Sequence, residues 1–467
     1  MLAFKSFSQT RGLTTTSASL AAAVTRKSFN KKSSYDKSKN KKGSGNDKSF
    51  QNSLLSKNYK KAAGKFDKLL IKQLLTFEPK NKDLIHNSIV QYPRTSIAKL
   101  HIAGSFKQHQ YNELYSQPVT LFRSREDSKL LEIIAKNESS LSNRYIVNGA
   151  SGIGKSTILA HFQSFALSKN KKGNKKFENN SILFPISNAE SLVDGSNDYK
   201  LNPETKKYDQ PMYTKEFLKK FRNLNEYALS QIPLSKEITP ITSTYKTSVH
   251  KIQGTLLDFV NYVLKASATE ANTTFAFTTI LDELSMQEKL PVYMTIDNFS
   301  AFIQHGMTKY RDVENRRIYF QNFTVADSLL KFVSGEKVFK NGAVMVATHG
   351  NHRLHNNVTF DIITGDKLIE DYAYEKFRNL DYQLANRLLQ NNGLNKFEIS
   401  EFSLEECKSL VKHLFKFNLI HNEYDLENQL LTKSEDEVFD KIAAQKYILS
   451  GNGNPKLLMD SCILQYV

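Results

Sequence analysis

The segment that most restricts the fold of this chain is a glycine-rich stretch at residues 149–156. It reads Gly-Ala-Ser-Gly-Ile-Gly-Lys-Ser and has the spacing Gly-x-x-x-x-Gly-Lys-Ser. Glycines admit backbone angles closed to other residues, so successive N–H groups can point toward one phosphate. The ammonium of Lys155 is expected to reach the outer phosphates, and the hydroxyl of Ser156 to bind Mg²⁺. The residues expected to hold a nucleotide here are Gly149, Ala150, Ser151, Gly152, Ile153, Gly154, Lys155, Ser156 and Thr157.

The sequence on both sides of this stretch supports that interpretation. Residues 145–147 (Tyr-Ile-Val) form a short β-rich run, and apolar residues then recur at helical spacing at Ile158, Leu159, Phe162, Phe165 and Ala166. A helix that begins there presents the positive end of its dipole to the same anion. The competing interpretation is a glycine-rich turn without a ligand. The strand before it and the helix after it favour a site for a nucleoside triphosphate or its product.

The positive charge of the chain is concentrated at its N-terminus. The net charge is +18, and residues 1–80 carry 18 Lys and Arg against 4 Asp and Glu. Residues 1–35 lack acidic residues and are rich in Ser, Thr and Ala, so we predict a mitochondrial transit peptide at 1–30, with a disordered basic tail as the alternative. Residues 31–80 are predicted to be a lysine-rich flexible arm. That arm is either a solvated linker or a contact to the phosphates of a nucleic acid.

From about residue 120 the pattern indicates an α/β fold. Apolar runs predict strands at 144–148, 181–187, 291–297, 342–348 and 397–400. Because these runs are apolar throughout, they are typical of a parallel sheet covered on both faces, as in an αβα sandwich. The predicted domains are an N-terminal helical segment at 81–125, a nucleotide-binding domain at 126–400 with an insertion at 168–250, and a C-terminal helical lid at 401–467.

Asp297 is the candidate second ligand of the magnesium ion. It ends the apolar strand 291–297, which is predicted to lie beside the strand that precedes the glycine-rich stretch. A carboxylate at the end of such a strand can bind Mg²⁺ through water. The alternative is an Asp that caps the next turn. The next residue is Asn298, whose amide cannot accept a proton from an attacking water. We therefore expect slow hydrolysis unless another residue accepts that proton.

Other polar residues have weaker signals. Lys456 follows Asn454-Pro455 at a predicted helix start, where a lid would bring its ammonium near the phosphates; a plain turn is the alternative. Thr348 ends an apolar strand and either senses a phosphate or caps a turn. The segment Phe122–Glu126 either packs against the base or begins a surface helix. The histidines at 349, 352 and 355 lie in a Gly- and Asn-rich stretch, which favours a solvated loop or a partner contact over a metal site.

The order of these elements is similar to that of the AAA+ and STAND groups of P-loop NTPases. Within that group the chain resembles the death-associated protein three family, components of the small subunit of the mitochondrial ribosome. The likeness covers roughly residues 115–467 and depends on the following stretches: 144–156, Tyr208-Asp209-Gln210-Pro211 with the helix after it, 291–298, 323–330 and 342–347.

This resemblance implies a P-loop NTPase of AAA+-like architecture that holds GTP or GDP (alternatively ATP) with Mg²⁺, on Lys155, Ser156 and Asp297. It implies mitochondrial ribosomal RNA and neighbouring mitoribosomal proteins as partners, and the mitochondrial matrix as location. With Asn298, it implies a structural protein or at most a slow GTPase. The alternative is an active AAA+-type mitochondrial ATPase that acts as a remodelling factor or a nucleic-acid-associated switch. The sequence has no apolar run long enough to span a membrane, and its two cysteines form no disulfide framework.

Overall fold

The computed structural model of the chain describes residues 67–81, 86–107, 110, 112–136, 138–168, 180–266, 271–350, 357–372, 380–417, 419–420, 429 and 431–463. The predicted transit peptide, most of the lysine-rich arm and two of the three clustered histidines, His352 and His355, lie outside these residues.

A five-stranded parallel sheet forms the centre of the described structure. Its strands are β3 (Arg144–Asn148), β4 (Ile182–Ile186), β7 (Val292–Ile296), β10 (Gly342–Ala347) and β11 (Asn395–Glu398), in the spatial order β11-β3-β10-β7-β4. The register aligns Val346 with both Ile146 of β3 and Ile296 of β7. The predicted α/β class and the five parallel strands are confirmed. The predicted neighbour of β3 is wrong, because β10 is inserted between β3 and β7.

Alternate residues of each strand point to opposite faces of the sheet, and helices cover both faces. On β10, Val344 and Val346 belong to one apolar cluster, whereas Ala343, Met345 and Ala347 belong to the other. One layer contains α5 (Pro211–Leu229), α6 (Leu256–Lys265), α7 (Thr273–Met286) and α9 (Thr324–Val333), and the other contains α2 (Arg94–Ala103), α3 (Ser124–Ala135) and α4 (Lys155–Ser168). Burial of both faces explains why these strands are apolar throughout.

The remaining elements lie at the edges of these layers. The helices are α1 (Asp67–Gln73), α8 (Ser300–Gln304), α10 (Val358–Ile363), α11 (Tyr382–Leu389), α12 (Leu404–Lys416), α13 (Glu435–Leu449) and α14 (Pro455–Cys462), with 3₁₀ turns at Pro79–Asn81, Asn112–Leu114, Ala189–Leu192, Phe320–Asn322 and Ile369–Tyr372. The antiparallel strand pairs are β1 (Ile89–Gln91) with β2 (Val119–Leu121), β5 (Lys200–Leu201) with β6 (Tyr208–Asp209), and β8 (Met307–Arg311) with β9 (Arg317–Tyr319). Within the described residues, every helix is too short or too polar to cross a membrane.

The N-terminal segment contains a short strand pair in addition to the expected helical structure. Strands β1 and β2 each have three residues, which is too short to show an alternating pattern, and they pair with each other. Apolar residues of this segment and of the described end of the arm (67–80) contact two cores: Phe77 and Leu100 pack with α4, whereas Ile71 and Leu121 pack with the C-terminal helices. The segment therefore joins the sheet to the C-terminal region.

A buried polar network holds the same segment to the helices beside the sheet. The two ring nitrogens of His161 each lie 2.7 Å from an oxygen, one from Asp127 and the other from Thr120 of β2. Asp127 also accepts a hydrogen bond from the backbone N–H of Arg123 at 2.7 Å. His161 and Asp127 are almost fully buried, so the loss of His161 would leave one carboxylate oxygen of Asp127 without its hydrogen-bond partner in a region from which water is excluded.

Arg144, at the start of β3, is a buried cation whose described hydrogen bonds all go to backbone carbonyls. Its guanidinium donates hydrogen bonds to the backbone carbonyls of Leu141 (3.1 Å), Val333 (3.0 Å) and Asn391 (2.5 Å). Burial lowers its pKa below the usual value. Val333 and Asn391 are 189 and 247 residues away from Arg144 in sequence, so this one side chain fixes the ends of α9 and α11 against β3.

The C-terminal helices begin as their sequences predict. Ser403 and Glu406 form the predicted capping box of α12, with the Ser403 N–H donating to Glu406 at 2.7 Å. The side chain of Asn454 accepts from the backbone N–H groups of Lys456 and Leu457, and Pro455 is the first helical residue of α14. Cys407 and Cys462 are both buried in this region and are not joined by a disulfide.

Candidate functional site

The glycine loop, residues 149–156, connects the carboxyl end of β3 to the first turn of α4. Gly149, Gly152 and Gly154 have φ values of +151°, +80° and +100°, which residues with a side chain rarely adopt. Helix α4 begins at Lys155 and has 14 residues, so its positive end faces the concave side of the loop. The predicted strand, loop and helix are all present, in the geometry that suits an anion.

Lys155 lies across the loop and is largely buried. Its ammonium donates hydrogen bonds to the backbone carbonyls of Gly149 at 2.6 Å and Ala150 at 2.7 Å. Burial lowers the pKa of Lys155 to about 8, and the negative charge of Asp297 partly opposes that effect. The cation is held within the loop, where it can exchange carbonyl oxygens for oxygens of an anion.

The backbone of Gly350 lies close to Lys155 and Ser151 on one side of the same space. A Cβ atom at this position would lie 2.7 Å from Nζ of Lys155 and 2.8 Å from the backbone nitrogen of Ser151. Contacts this short are not tolerated, and the Ser151 nitrogen cannot move without the loop. The absence of a side chain at residue 350 thus leaves the N–H groups and the ammonium of the loop accessible to a ligand.

The start of α14 rests on the glycine loop. The side-chain amide of Asn454 donates to the carbonyl of Ser151 at 2.8 Å, and the backbone N–H of Lys456 approaches the carbonyl of Gly152 at 3.2 Å. A Cβ atom at Gly152 would lie only 2.7 Å from Cβ of Lys456, so the contact requires glycine there. The structure therefore brings Lys456 to the loop, with its side chain exposed.

Asp297 follows β7 at the same edge of the sheet and is paired with a residue that sequence analysis missed. Its carboxylate forms an ion pair with the ammonium of Lys107 and accepts the backbone N–H of Asn298 at 2.8 Å. Lys107 is 190 residues away in sequence and follows α2. Because this contact is formed only by the tertiary fold, no local pattern indicates it.

Asn298 contacts Glu190, an acidic residue that sequence analysis missed. Its backbone is left-handed, with φ of +57°, and its side-chain amide donates to Asn188 at 3.0 Å and to the carboxylate of Glu190 at 3.1 Å. Its side-chain oxygen accepts from Ser300 at 3.2 Å, and Ser300 accepts the N–H of His349 at 2.8 Å. The ends of β4, β7 and β10 are thus joined by one chain of hydrogen bonds.

Thr348 and Arg123 are both buried and form hydrogen bonds that sequence analysis did not predict. The Thr348 hydroxyl is buried and donates to the carbonyl of Val147 on β3 at 3.2 Å, which does not match a turn cap. The helix start expected at Phe122–Glu126 is present, since α3 begins at Ser124 with Arg123 as its N-cap. Arg123 itself is buried rather than at the surface: it pairs with Glu406 at 3.2 Å and donates to the carbonyl of Ser400 at 2.9 Å. It connects α3 to the capping box of α12.

The histidine-rich segment has only one described member, His349. In the part of the chain that the structure describes, no group of three or more His, Cys, Asp or Glu side chains is arranged to hold a metal ion.

Asp209 and Gln210, from a stretch on which the family resemblance depends, are buried. Asp209 accepts a hydrogen bond from Thr324 at 2.6 Å, and Gln210 donates to the carbonyl of Leu192 at 3.2 Å. The Asp209 contact fastens the insertion to the start of α9.

Comparison with known proteins decides the family. A sequence model of the family described as mitochondrial ribosomal death-associated protein 3 matches residues 122–461. The chain belongs to this family. The small ribosomal subunit protein mS29 of Schizosaccharomyces pombe (strain 972 / ATCC 24843) is 24% identical over 383 residues, which are 79% of this chain and 70% of that relative. The family match contains the glycine loop, Asp297 and Lys456, whereas Lys107 precedes it.

Proposed function

We propose that this chain is a structural component of the small subunit of the mitochondrial ribosome and that it holds a guanine nucleotide with Mg²⁺. Membership of the mitochondrial ribosomal family carries the first part of the proposal. The similarity to a small ribosomal subunit protein supports the same subunit. Mitochondrial ribosomal RNA and neighbouring ribosomal proteins are then its partners, and the matrix is its location; the basic, acid-free N-terminus fits import and contact with RNA.

The geometry of the glycine loop carries the nucleotide part of the proposal. The positive φ angles, the buried Lys155 and the helix start fit a P-loop NTPase site in which residues 149–157 surround the phosphates. Gly350 keeps the concave side open, since any side chain there would meet Lys155 and Ser151. Ser156 and Asp297 would hold the Mg²⁺, which would neutralise phosphate charge when bound. Lys456 would lie beside the phosphates because its backbone already contacts Gly152.

A structural rather than a catalytic use of the nucleotide is favoured by two observations. Position 298 is an asparagine, and its amide is engaged with Asn188 and Glu190. The glycine loop also contacts α14 directly through Asn454. A nucleotide held in the loop therefore stabilises the junction between the sheet and the C-terminal helices, by mass action whenever its concentration exceeds the dissociation constant.

Replacement of Lys155 tests this proposal. Lys155→Ala should lower the nucleotide content of the purified protein and reduce the amount of assembled small subunit in cells. Lys219→Ala is a matched control, because Lys219 is an exposed lysine on α5. Nucleotide released by denaturation is measured by chromatography, and subunits are measured by sedimentation. Normal assembly with an empty site would refute the link between nucleotide and assembly.

Glu190 gives one specific reason to test the alternative, an active nucleoside triphosphatase. Its carboxylate accepts a hydrogen bond from the side-chain amide of Asn298 at 3.1 Å, whereas the Asp297 carboxylate nearby is assigned to the Mg²⁺. If it activates water, the purified chain should turn over at about 1 s⁻¹ or faster, and Glu190→Gln should abolish turnover without loss of binding. A slower rate that Glu190→Gln leaves unchanged supports the structural role.

A further inference from the structure

Lys107 belongs to the N-terminal segment and forms an ion pair with Asp297 at the carboxyl edge of the sheet. Asp297 is also the residue whose charge acts on Lys155. One carboxylate therefore interacts with two ammonium groups. Lys107 adds a second cation to the edge of the sheet that carries the glycine loop.

The backbone that carries Lys107 is fixed in place independently of this ion pair. Gly104 ends α2 with φ of +78° and approaches β4 so closely that a Cβ atom would lie 2.6 Å from Cβ of Ser187. The hydroxyl of Ser105 donates to Gln163 of α4 at 2.5 Å, and Gln163 donates to Thr295 of β7 at 2.8 Å. These two bonds are buried and connect the segment to both the loop helix and the Asp297 strand.

Phe106 adds an apolar anchor next to Lys107. Its ring packs edge-on against Tyr92, at 5.2 Å between centroids, and against His101 at 4.7 Å. The ion pair itself is partly exposed, with 27% of the Lys107 side chain and 12% of the Asp297 side chain accessible. The segment is thus positioned by buried contacts, and the charge that it delivers is available for another purpose.

We propose that Lys107 is a second phosphate-binding lysine of the glycine-loop site, which exchanges between Asp297 and the outermost phosphate of a bound nucleoside triphosphate. This inference rests on the proposed nucleotide site. A divalent cation held by Asp297 repels the ammonium, whereas the terminal phosphate attracts it, so binding of the two together moves Lys107 from the carboxylate to the phosphate. A diphosphate lacks that terminal group. Lys107 therefore makes the site prefer triphosphate over diphosphate.

The affinities of both nucleotides for three variants test this inference. GTP and GDP with a fluorescent methylanthraniloyl group are titrated in the presence of Mg²⁺ into the full chain, into Lys107→Met and into Lys107→Arg. Charge-assisted hydrogen bonds to phosphate are strong, so Lys107→Met should weaken the triphosphate about tenfold or more and the diphosphate less than about threefold. Lys107→Arg keeps a cation and should retain most of the preference. Lys219→Met controls for the loss of a surface charge.

The outcomes separate this inference from the proposed function. Equal weakening of both nucleotides, or no change in either, would overturn the role of Lys107. A lower melting temperature of Lys107→Met with an unchanged triphosphate-to-diphosphate ratio would also overturn it and assign the pair a structural role. If Lys107→Met does not fold, Lys107→Gln gives the same comparison with a neutral polar side chain. An unmodified chain that binds neither nucleotide would refute the nucleotide site itself.

Discussion

The affinity of the glycine loop for a nucleotide should depend on pH through Lys155. Burial lowers the pKa of this ammonium to about 8 in the free protein. A bound phosphate favours the charged form and raises that pKa. Binding therefore takes up a proton whenever the free protein has lost it. The affinity is highest below about pH 8 and falls as the pH rises through that value.

The size of the effect follows from the fraction of protonated Lys155. With a pKa of about 8, roughly nine-tenths of the free protein carries the ammonium at pH 7 and roughly one-tenth at pH 9. The dissociation constant should therefore rise about tenfold between these two pH values. Isothermal titration calorimetry at pH 7, 8 and 9, in buffers of different ionisation enthalpy, measures both the affinity and the proton uptake.

Lys155→Met is the control for this experiment. It keeps the aliphatic part of the side chain and has no group that titrates, so changes in the ligand's own ionisation appear equally in both proteins. The advantage of the unmodified chain over Lys155→Met should shrink about tenfold from pH 7 to pH 9. A constant ratio of the two dissociation constants over that range would refute the assignment of Lys155 as the titrating phosphate ligand.

Three further substitutions have definite expected results. Gly350→Ala should lower nucleotide affinity at least about tenfold, because its Cβ would meet the Ser151 nitrogen at 2.8 Å; unchanged affinity by calorimetry would contradict the proposed open side of the loop. Arg144→Met should lower the free energy of unfolding by about 3 kcal/mol or more, since it leaves three backbone carbonyls without their donor; urea denaturation that shows less than about 1 kcal/mol would be inconsistent with this. His161→Ala should cost about 3–5 kcal/mol by the same assay, because Asp127 then lacks its buried partner, and a loss as small as that of a surface substitution would disprove it.

The strands and the glycine loop were predictable because each is encoded in a short stretch. The apolar run at 342–347 fits only a strand buried on both faces, and the loop requires glycine at 149 and 154 for its backbone angles. The cap of α14 was likewise predicted from Asn454 and Pro455 alone. In these cases the physical cause of the structure lies within about ten residues of sequence.

Features that depend on strand order were not predictable in this way. The insertion of β10 between β3 and β7 has no local signature, and the sequence therefore placed Asp297 one strand too close to the loop. The pairing of Lys107 with Asp297 depends on a segment that folds back across the sheet. Glu190 had a usable signal: it follows β4 shortly after the strand ends, at the edge where the polar ends of all five parallel strands gather.

The insertion at 168–250 shows a second limit of sequence patterns. Residues 188–213 look polar and loop-like, yet they contain a 3₁₀ turn and the β5–β6 pair. Asp209 at the end of β6 is buried, and its partner Thr324 lies 115 residues away. Polar residues that satisfy one another across such distances cannot be told from solvated ones without the fold.

The central claim, a nucleotide-holding protein of the small mitoribosomal subunit, is tested most directly by one preparation. Native protein is followed through a sucrose gradient of mitochondrial lysate, and the pooled peak is denatured to release small molecules for chromatography. The account predicts that the protein sediments with the small subunit and releases close to one guanine nucleotide per chain. Sedimentation apart from the subunit, or a subunit-bound protein that releases no nucleotide, would contradict it.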